Sequence, residues 1–256
     1  AVFQRQRKGL LFSDIERPIN LFQKALWETD FMYAPYSPDF ERLEHFHPYL
    51  EDDVIRLPDI YEELNGVDAC KRYMALVAHL IAHHQHTTKI VADNVSPQQR
   101  FFTEVFEDAR VEYLAMQEYP GLKSLWLSLI PIVDEFDCDD SHQSCLRHRA
   151  IMLTRALLDD NHPYKNQTIL DYVDKFKTLM SAGESTTSDS LSLGLGYLIK
   201  TRSASDALAN IYFENTEVTY RDDNRSIWLF IEEFDEEDNI FEHQKKSEDE
   251  DEDQIE

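Results

Sequence analysis

Glycine, cysteine and basic residues are all scarce in this sequence. Six glycines in 256 residues leave little material for the turns of a barrel or sandwich, or for a loop that cradles phosphate. The three cysteines, Cys70, Cys138 and Cys145, show no C-x-x-C spacing and predict reduced thiols without a disulfide frame. No apolar run reaches the ~18 residues of a spanning helix, so membrane insertion is not expected, and no signal-peptide pattern is present. Lys and Arg number 25 against 50 Asp and Glu, a formal net charge of −25. That balance argues against nucleic acid, which needs clustered cations, and against anionic membrane surfaces. Together these absences lead us to expect a cytoplasmic protein.

What the sequence does contain is helical periodicity. Apolar residues recur with a 3.6-residue period and seldom alternate, which predicts an all-α fold. The boundaries expected are a helical domain over 1–231, built around a central antiparallel helix pair, and an acidic disordered tail or linker over 232–256. That tail opens with Glu232-Glu233-Phe234-Asp235-Glu236-Glu237-Asp238 and continues in Glu248–Asp253, a composition that favours a solvated chain or a docking segment for a basic partner. The chain opens with Ala1 and ends within the acidic run, as a fragment of a longer polypeptide would.

Residues 1–17 carry Arg5, Arg7 and Lys8 before Leu10–Phe12 and suggest an arm or short helix. A helix is expected from Pro18 to about Tyr33, with proline in its first turn. Residues 34–58, with Pro35, Pro38, Pro48 and Pro58, read as a loop holding a short helix near 39–46. The central pair is expected at 69–93 and 97–118. Ser96-Pro97 is a start signal and Tyr119-Pro120-Gly121 a stop. Further helices are expected at 123–130, 141–160, 166–182, 189–201 and 204–214, while 216–231 suits either a hairpin or a last helix. Trp27, Trp126 and Trp228 are expected as core or interface anchors.

On the first helix of the pair His79 and His83 are four residues apart and share a face, with His86 on the same side. H-x-x-x-H on a helix is the spacing at which two imidazoles hold one metal ion. The second helix carries Glu104, Glu107, Asp108, Arg110 and Glu112. An antiparallel hairpin about residue 93 or 94 sets His79 level with Asp108 and His83 level with Glu104. His79, His83, Glu104 and Asp108 are therefore the candidate metal ligands, with zinc the metal this set suits. The competing reading is a metal-free network in which histidines and Arg110 bond the acids. The pattern resembles that of zincin metalloproteases, in which H-E-x-x-H is followed by E-x-x-x-D on a later helix. Glu104–Asp108 matches the second part. In the first part Leu80 stands where the general-base glutamate would, so a structural or degenerate site without peptidase activity is expected.

Elsewhere Cys138, His142 and Cys145 form a second candidate zinc set, and Cys145 with His148 or His142 a weak nucleophile pair lacking a third ordering group. Asp137, Asp139 and Asp140 suit a solvated helix start.

The run Phe106-Glu107-Asp108-Ala109-Arg110-Val111-Glu112, followed by Tyr119-Pro120-Gly121-Leu122, resembles the N-terminal region of the nitric oxide reductase activation protein family, which includes the Rubisco-activation adaptor of the same type. Leu57-Pro58 and the helix Arg72-Tyr73-Met74-Ala75-Leu76 fit the same pattern, so the resemblance covers about residues 57–122. It implies a non-catalytic adaptor that works with a MoxR-type AAA+ ATPase to activate or remodel a target enzyme. The family's C-terminal von Willebrand factor A domain has no counterpart here. No D-x-S-x-S motif is present, and Asp189-Ser190-Leu191-Ser192 has its serines at the wrong offsets. No G-x-x-x-x-G-K-[ST] loop is present either, so ATP hydrolysis is not expected of this chain. The rival expectation is a degenerate zincin-like metal-binding protein or metal-dependent hydrolase.

Overall fold

The stretch Ala75–Ala82 has no polar residue except His79, and a helix that is apolar all round must be surrounded by other elements. In the computed structural model it is. The structure describes residues 9–37, 47–141, 143–208 and 215–231. In chain order the elements are β1 (Leu10–Leu11), α1 (Phe12–Trp27), β2 (Met32–Tyr36), β3 (Tyr49–Glu51), β4 (Val54–Pro58), β5 (Ile60–Tyr61), α2 (Ala69–His86), β6 (Ile90–Val91), α3 (Pro97–Glu118), α4 (Gly121–Leu129), α5 (Leu146–Leu158), α6 (Gln167–Ala182), α7 (Thr187–Thr201) and β7 (Trp228–Leu229). The main hydrophobic core runs from Phe12 to Tyr220, and a smaller cluster of Ala92, Ile227 and Trp228 forms at β6 and β7. Helix α2 lies among α1, α3 and α4. The Trp126 indole of α4 donates to the Ala75 carbonyl at 3.0 Å. No described helix is long and apolar enough to cross a membrane.

Local chemistry sets the ends of the central pair. The Asp68 side chain caps α2 by accepting from the Lys71 amide at 2.9 Å. Ser96 and Gln99 form a reciprocal capping box at the start of α3, with Pro97 in the first turn. Helix α3 spans the expected 97–118. Helix α2 stops at His86, seven residues short of expectation, because Thr87-Thr88 and then Ile90-Val91 are β-branched and favour extended backbone.

The expectation of an all-α fold needs correction: the protein is mostly helical, but its described residues carry three small sheets. Strand β4 is central to one of them, parallel to β2 and antiparallel to β3. Its Val-Ile-Arg-Leu-Pro sequence alternates, with Ile55 and Leu57 fully buried. The prolines that suggested a loop are tolerated because β2, which holds Pro35, is an edge strand, and Pro58 ends β4. Strands β1 and β5 pair antiparallel, and β6 pairs parallel with β7. The segment 215–231 is thus neither hairpin nor helix; it is a run of turns that ends in β7.

Other boundaries also move. Helix α1 starts at Phe12, with Pro18 inside it, because Phe12, Ile15, Ile19, Gln23 and Trp27 form the buried stripe. The helix expected from residue 141 begins at Leu146. Residues 204–208 are not helical. The expectations for 1–8, 39–46 and 232–256, and part of that for 204–214, fall outside the described residues. Trp27, Trp126 and Trp228 are all buried, as expected.

The cysteine expectation is overturned. Cys138 and Cys145 form a disulfide, with Cα atoms 5.8 Å apart. The seven-residue spacing lets a turn at Asp140 and Ser141 bring the thiols together, which a search for C-x-x-C does not detect. The candidate set of Cys138, His142 and Cys145 is thereby spent, and so is the Cys145 nucleophile. Cys70 is free and half-buried.

Among the described residues α3 and α7 have the most extensive helix contact, and Gly194 lets their backbones approach. A Cβ there would stand 2.6 Å from the Thr103 amide nitrogen, against backbone that cannot give way. At Gly196 an added Cβ would meet only the Tyr172 hydroxyl, the far end of a side chain. Gly194→Ala should therefore cost about 1–3 kcal/mol in denaturant unfolding. Both variants gain about 1 kcal/mol of helix propensity, but Gly196→Ala should cost less because only the Tyr172 side chain has to shift. Equal losses from the two variants would contradict this packing.

Candidate functional site

The two histidines and the acids of the helix pair do meet, but in a register four residues further along α3 than expected. His79 Nδ1 lies 2.9 Å from Glu112 Oε1, and His83 Nε2 lies 3.2 Å from Asp108 Oδ1. The early end of α2 is the cause. Residues 87–96 form β6 and a turn beside α3 rather than a tight helical hairpin, so the first turns of α3 overhang the end of α2. Glu104 is left above the histidines. Its carboxylate accepts from the Trp228 indole at 2.7 Å. Burial lifts the Glu104 carboxyl to about 7, an effect the Trp228 bond only partly offsets.

A residue not anticipated from sequence takes the place expected of Glu104. Asp222, from the segment between α7 and β7, puts Oδ1 3.4 Å from His79 Nε2 and 3.9 Å from His83 Nε2. Ligand-type atoms of His79, His83, Asp108 and Asp222 all lie within 4.8 Å of one another, and all four residues are buried. These are the described residues able to hold a metal ion together. His84 packs edge-on against Phe31, away from the cluster. His86 is outside it too, and its carbonyl accepts from Arg110 at 2.6 Å.

Arg221 anchors Asp222 in place. Its guanidinium donates to Glu112 Oε1 at 3.0 Å, to Glu112 Oε2 at 2.8 Å and to Asp108 Oδ2 at 3.0 Å. The neighbouring Tyr220 hydroxyl donates to Glu112 Oε1 at 3.0 Å. Burial alone would raise the Glu112 carboxyl; Arg221 and His79 outweigh it and hold Glu112 at about 2. Asp222 is likewise held at about 2, with His83 and His79 outweighing burial. Burial disfavours a charged His79, yet the carboxylates of Asp222 and Glu112 outweigh it and raise the imidazole to about 9.

Glu107 and Arg110 form a second buried unit. Glu107 accepts from Arg110 twice, at 2.8 and 2.7 Å, and from Thr87, Thr187 and Ser190 at 2.7, 3.0 and 2.7 Å. Arg110 also reaches the carbonyls of Ser185 and His86. The unit ties the end of α2 and the start of α7 to α3. Every charged residue of the Glu107–Glu112 run is therefore bonded to another part of the chain.

The sequence signal for Arg221 and Asp222 was slight. They sit in Tyr220-Arg221-Asp222-Asp223-Asn224, a charged run flanked by Val218 and Ile227. Charge beside buried aromatics points to a paired interior site only once the fold is known. No protein-family model, curated protein or solved structure matches this chain.

Removing Arg221 should be costly, since Glu112 and Asp108 would remain buried without their partner. Arg221→Ala is expected to lose about 3–5 kcal/mol of folding stability. Arg225→Ala, which removes an exposed pair with Asp223, should lose under about 1 kcal/mol. Chemical denaturation of both variants checks this; similar losses would contradict the buried-network account.

Proposed function

We propose that this chain is a non-catalytic adaptor module that links a MoxR-type AAA+ ATPase to a target enzyme for activation or remodelling. The observation that carries the reading is the Glu107-Asp108-x-Arg110-x-Glu112 run. It has the form of the adaptor family's signature, and each of its charged residues is committed to holding α2, α7 or the 215–231 segment against α3. Residues spent in that way make a rigid scaffold. Leu80, at the position of a zincin general base, is buried and apolar, which further favours binding over hydrolysis.

Co-purification tests the reading. The full-length chain should capture a MoxR-type hexameric ATPase and change its ATP turnover. Failure to bind any such ATPase, with any further domain of the polypeptide restored, would remove the adaptor reading.

One observation favours a second reading, a metal-dependent hydrolase. Glu104 titrates near neutrality and lines the same cleft as His83 and Asp222; a carboxyl with those properties suits a general base. Zinc-dependent cleavage of peptide or ester substrates that is lost in Glu104→Gln would favour the hydrolase over the adaptor.

A further inference from the structure

The His79–His83 cluster has a charge and hydrogen-bond balance that its own side chains do not complete. Three carboxylates, Asp108, Glu112 and Asp222, face one guanidinium, that of Arg221. With both imidazoles neutral, as metal ligands must be, two negative charges remain among these groups; without a metal, a proton on His79, favoured by Asp222 and Glu112, offsets one of them. Buried charge of that size is strongly disfavoured unless a cation or added protons compensate it.

The hydrogen bonds around His83 sharpen this. The Thr87 hydroxyl donates its one hydrogen to Glu107 Oε1 at 2.7 Å. At 2.9 Å from His83 Nδ1, its oxygen must therefore accept, and Nδ1 carries the proton. In the neutral ring Nε2 then presents a lone pair to Asp108 and Asp222, which are themselves acceptors. His79 is fully buried, and neither of its ring nitrogens is aligned for a hydrogen bond with the oxygens beside it. With both rings neutral, lone pairs from two imidazoles and two carboxylates thus converge on one point without a donor.

We propose that this point is a divalent transition-metal site of the zinc class, ligated by His79 Nε2, His83 Nε2, Asp108 and Asp222. Metal–ligand distances of ~2.0–2.2 Å in a tetrahedron place ligand atoms ~3.3–3.6 Å apart. The separations of 3.2, 3.4 and 3.9 Å already approach that spacing. The outer partners fit as well. Glu112 stands against Nδ1 of His79, and Thr87 against Nδ1 of His83, the arrangement that orients ligating imidazoles. A divalent ion cancels the two surplus charges. Open space adjoins the site: a 450 Å³ cavity is lined in part by Asp108 and Asp222, and a 1060 Å³ cleft in part by His83 and Asp222.

Asp222 gives the site its consequence. Three ligands come from the helix pair, and the fourth from the segment that leads through β7 towards residue 232. The metal staples that segment to the helices, so the hold of β7 on the helix pair depends on metal occupancy. This site stands apart from the adaptor reading, because metal binding and ATPase capture are measured separately and either can fail alone.

The test uses the full chain, stripped with a chelator and then titrated with zinc or cobalt(II). The expected result is one equivalent bound per chain and a rise in melting temperature of about 5–10 °C at saturating zinc. Cobalt should give the visible absorption of a tetrahedral centre. Amide exchange over 219–224 should slow on zinc addition. Asp222→Asn should weaken binding by about 100-fold, whereas Glu104→Gln should retain it. X-ray absorption of the zinc-loaded wild-type chain should count two imidazoles, a readout that does not depend on any variant folding. No stoichiometric binding of either metal, no imidazole in the shell, or loss of binding in Glu104→Gln with retention in Asp222→Asn would each overturn the proposal.

Discussion

The paired contact of Arg221 with Glu112 and Asp108 is the interaction on which the rest of the interior depends. It joins two pieces of chain more than a hundred residues apart in sequence. It neutralises part of an acidic helix face that could not otherwise be buried, and it carries Asp222 to the histidines. A surface pair of the same groups would contribute little; here both partners are enclosed, and loss of one strands the other in a low-dielectric interior.

A division of labour along α3 follows from this arrangement. Its apolar residues, among them the fully buried Phe102, Phe106 and Ala109, build the core with α5, α6 and α7. Its charged residues Glu107, Asp108, Arg110 and Glu112 act in two units that interleave along the helix. Glu107 with Arg110 is charge-balanced and satisfied by five hydrogen bonds, so it behaves as a structural clasp. Asp108 with Glu112, Arg221 and Asp222 is not balanced, and that imbalance sets the histidine cluster apart from an ordinary polar core. An adaptor built this way would present a stiff framework, with one joint sensitive to its ionic contents.

Much of this was legible in the sequence. The capping pair Ser96-Pro97 and the stop at Tyr119-Pro120 located α3 to the residue, because caps act through local hydrogen bonds. The four-residue spacing of His79 and His83 placed both on one face, and Asp108 was expected beside them. The level of contact was not legible, since it depends on where α2 ends, and Thr87-Thr88 ended it early. Asp222 was beyond reach because its placement relies on contacts across the fold. The sheets were hidden by prolines that are harmless at an edge, and the Cys138–Cys145 pair by a spacing that only a turn brings together.

The most direct measurement is a double-mutant cycle between Arg221→Met and Glu112→Gln, read by equilibrium unfolding of the metal-free chain. If the buried pair joins the 215–231 segment to the helix pair, each single variant is strongly destabilised and the double variant recovers part of the loss, with a coupling above about 1 kcal/mol. Losses that add to within about 0.5 kcal/mol would contradict the account.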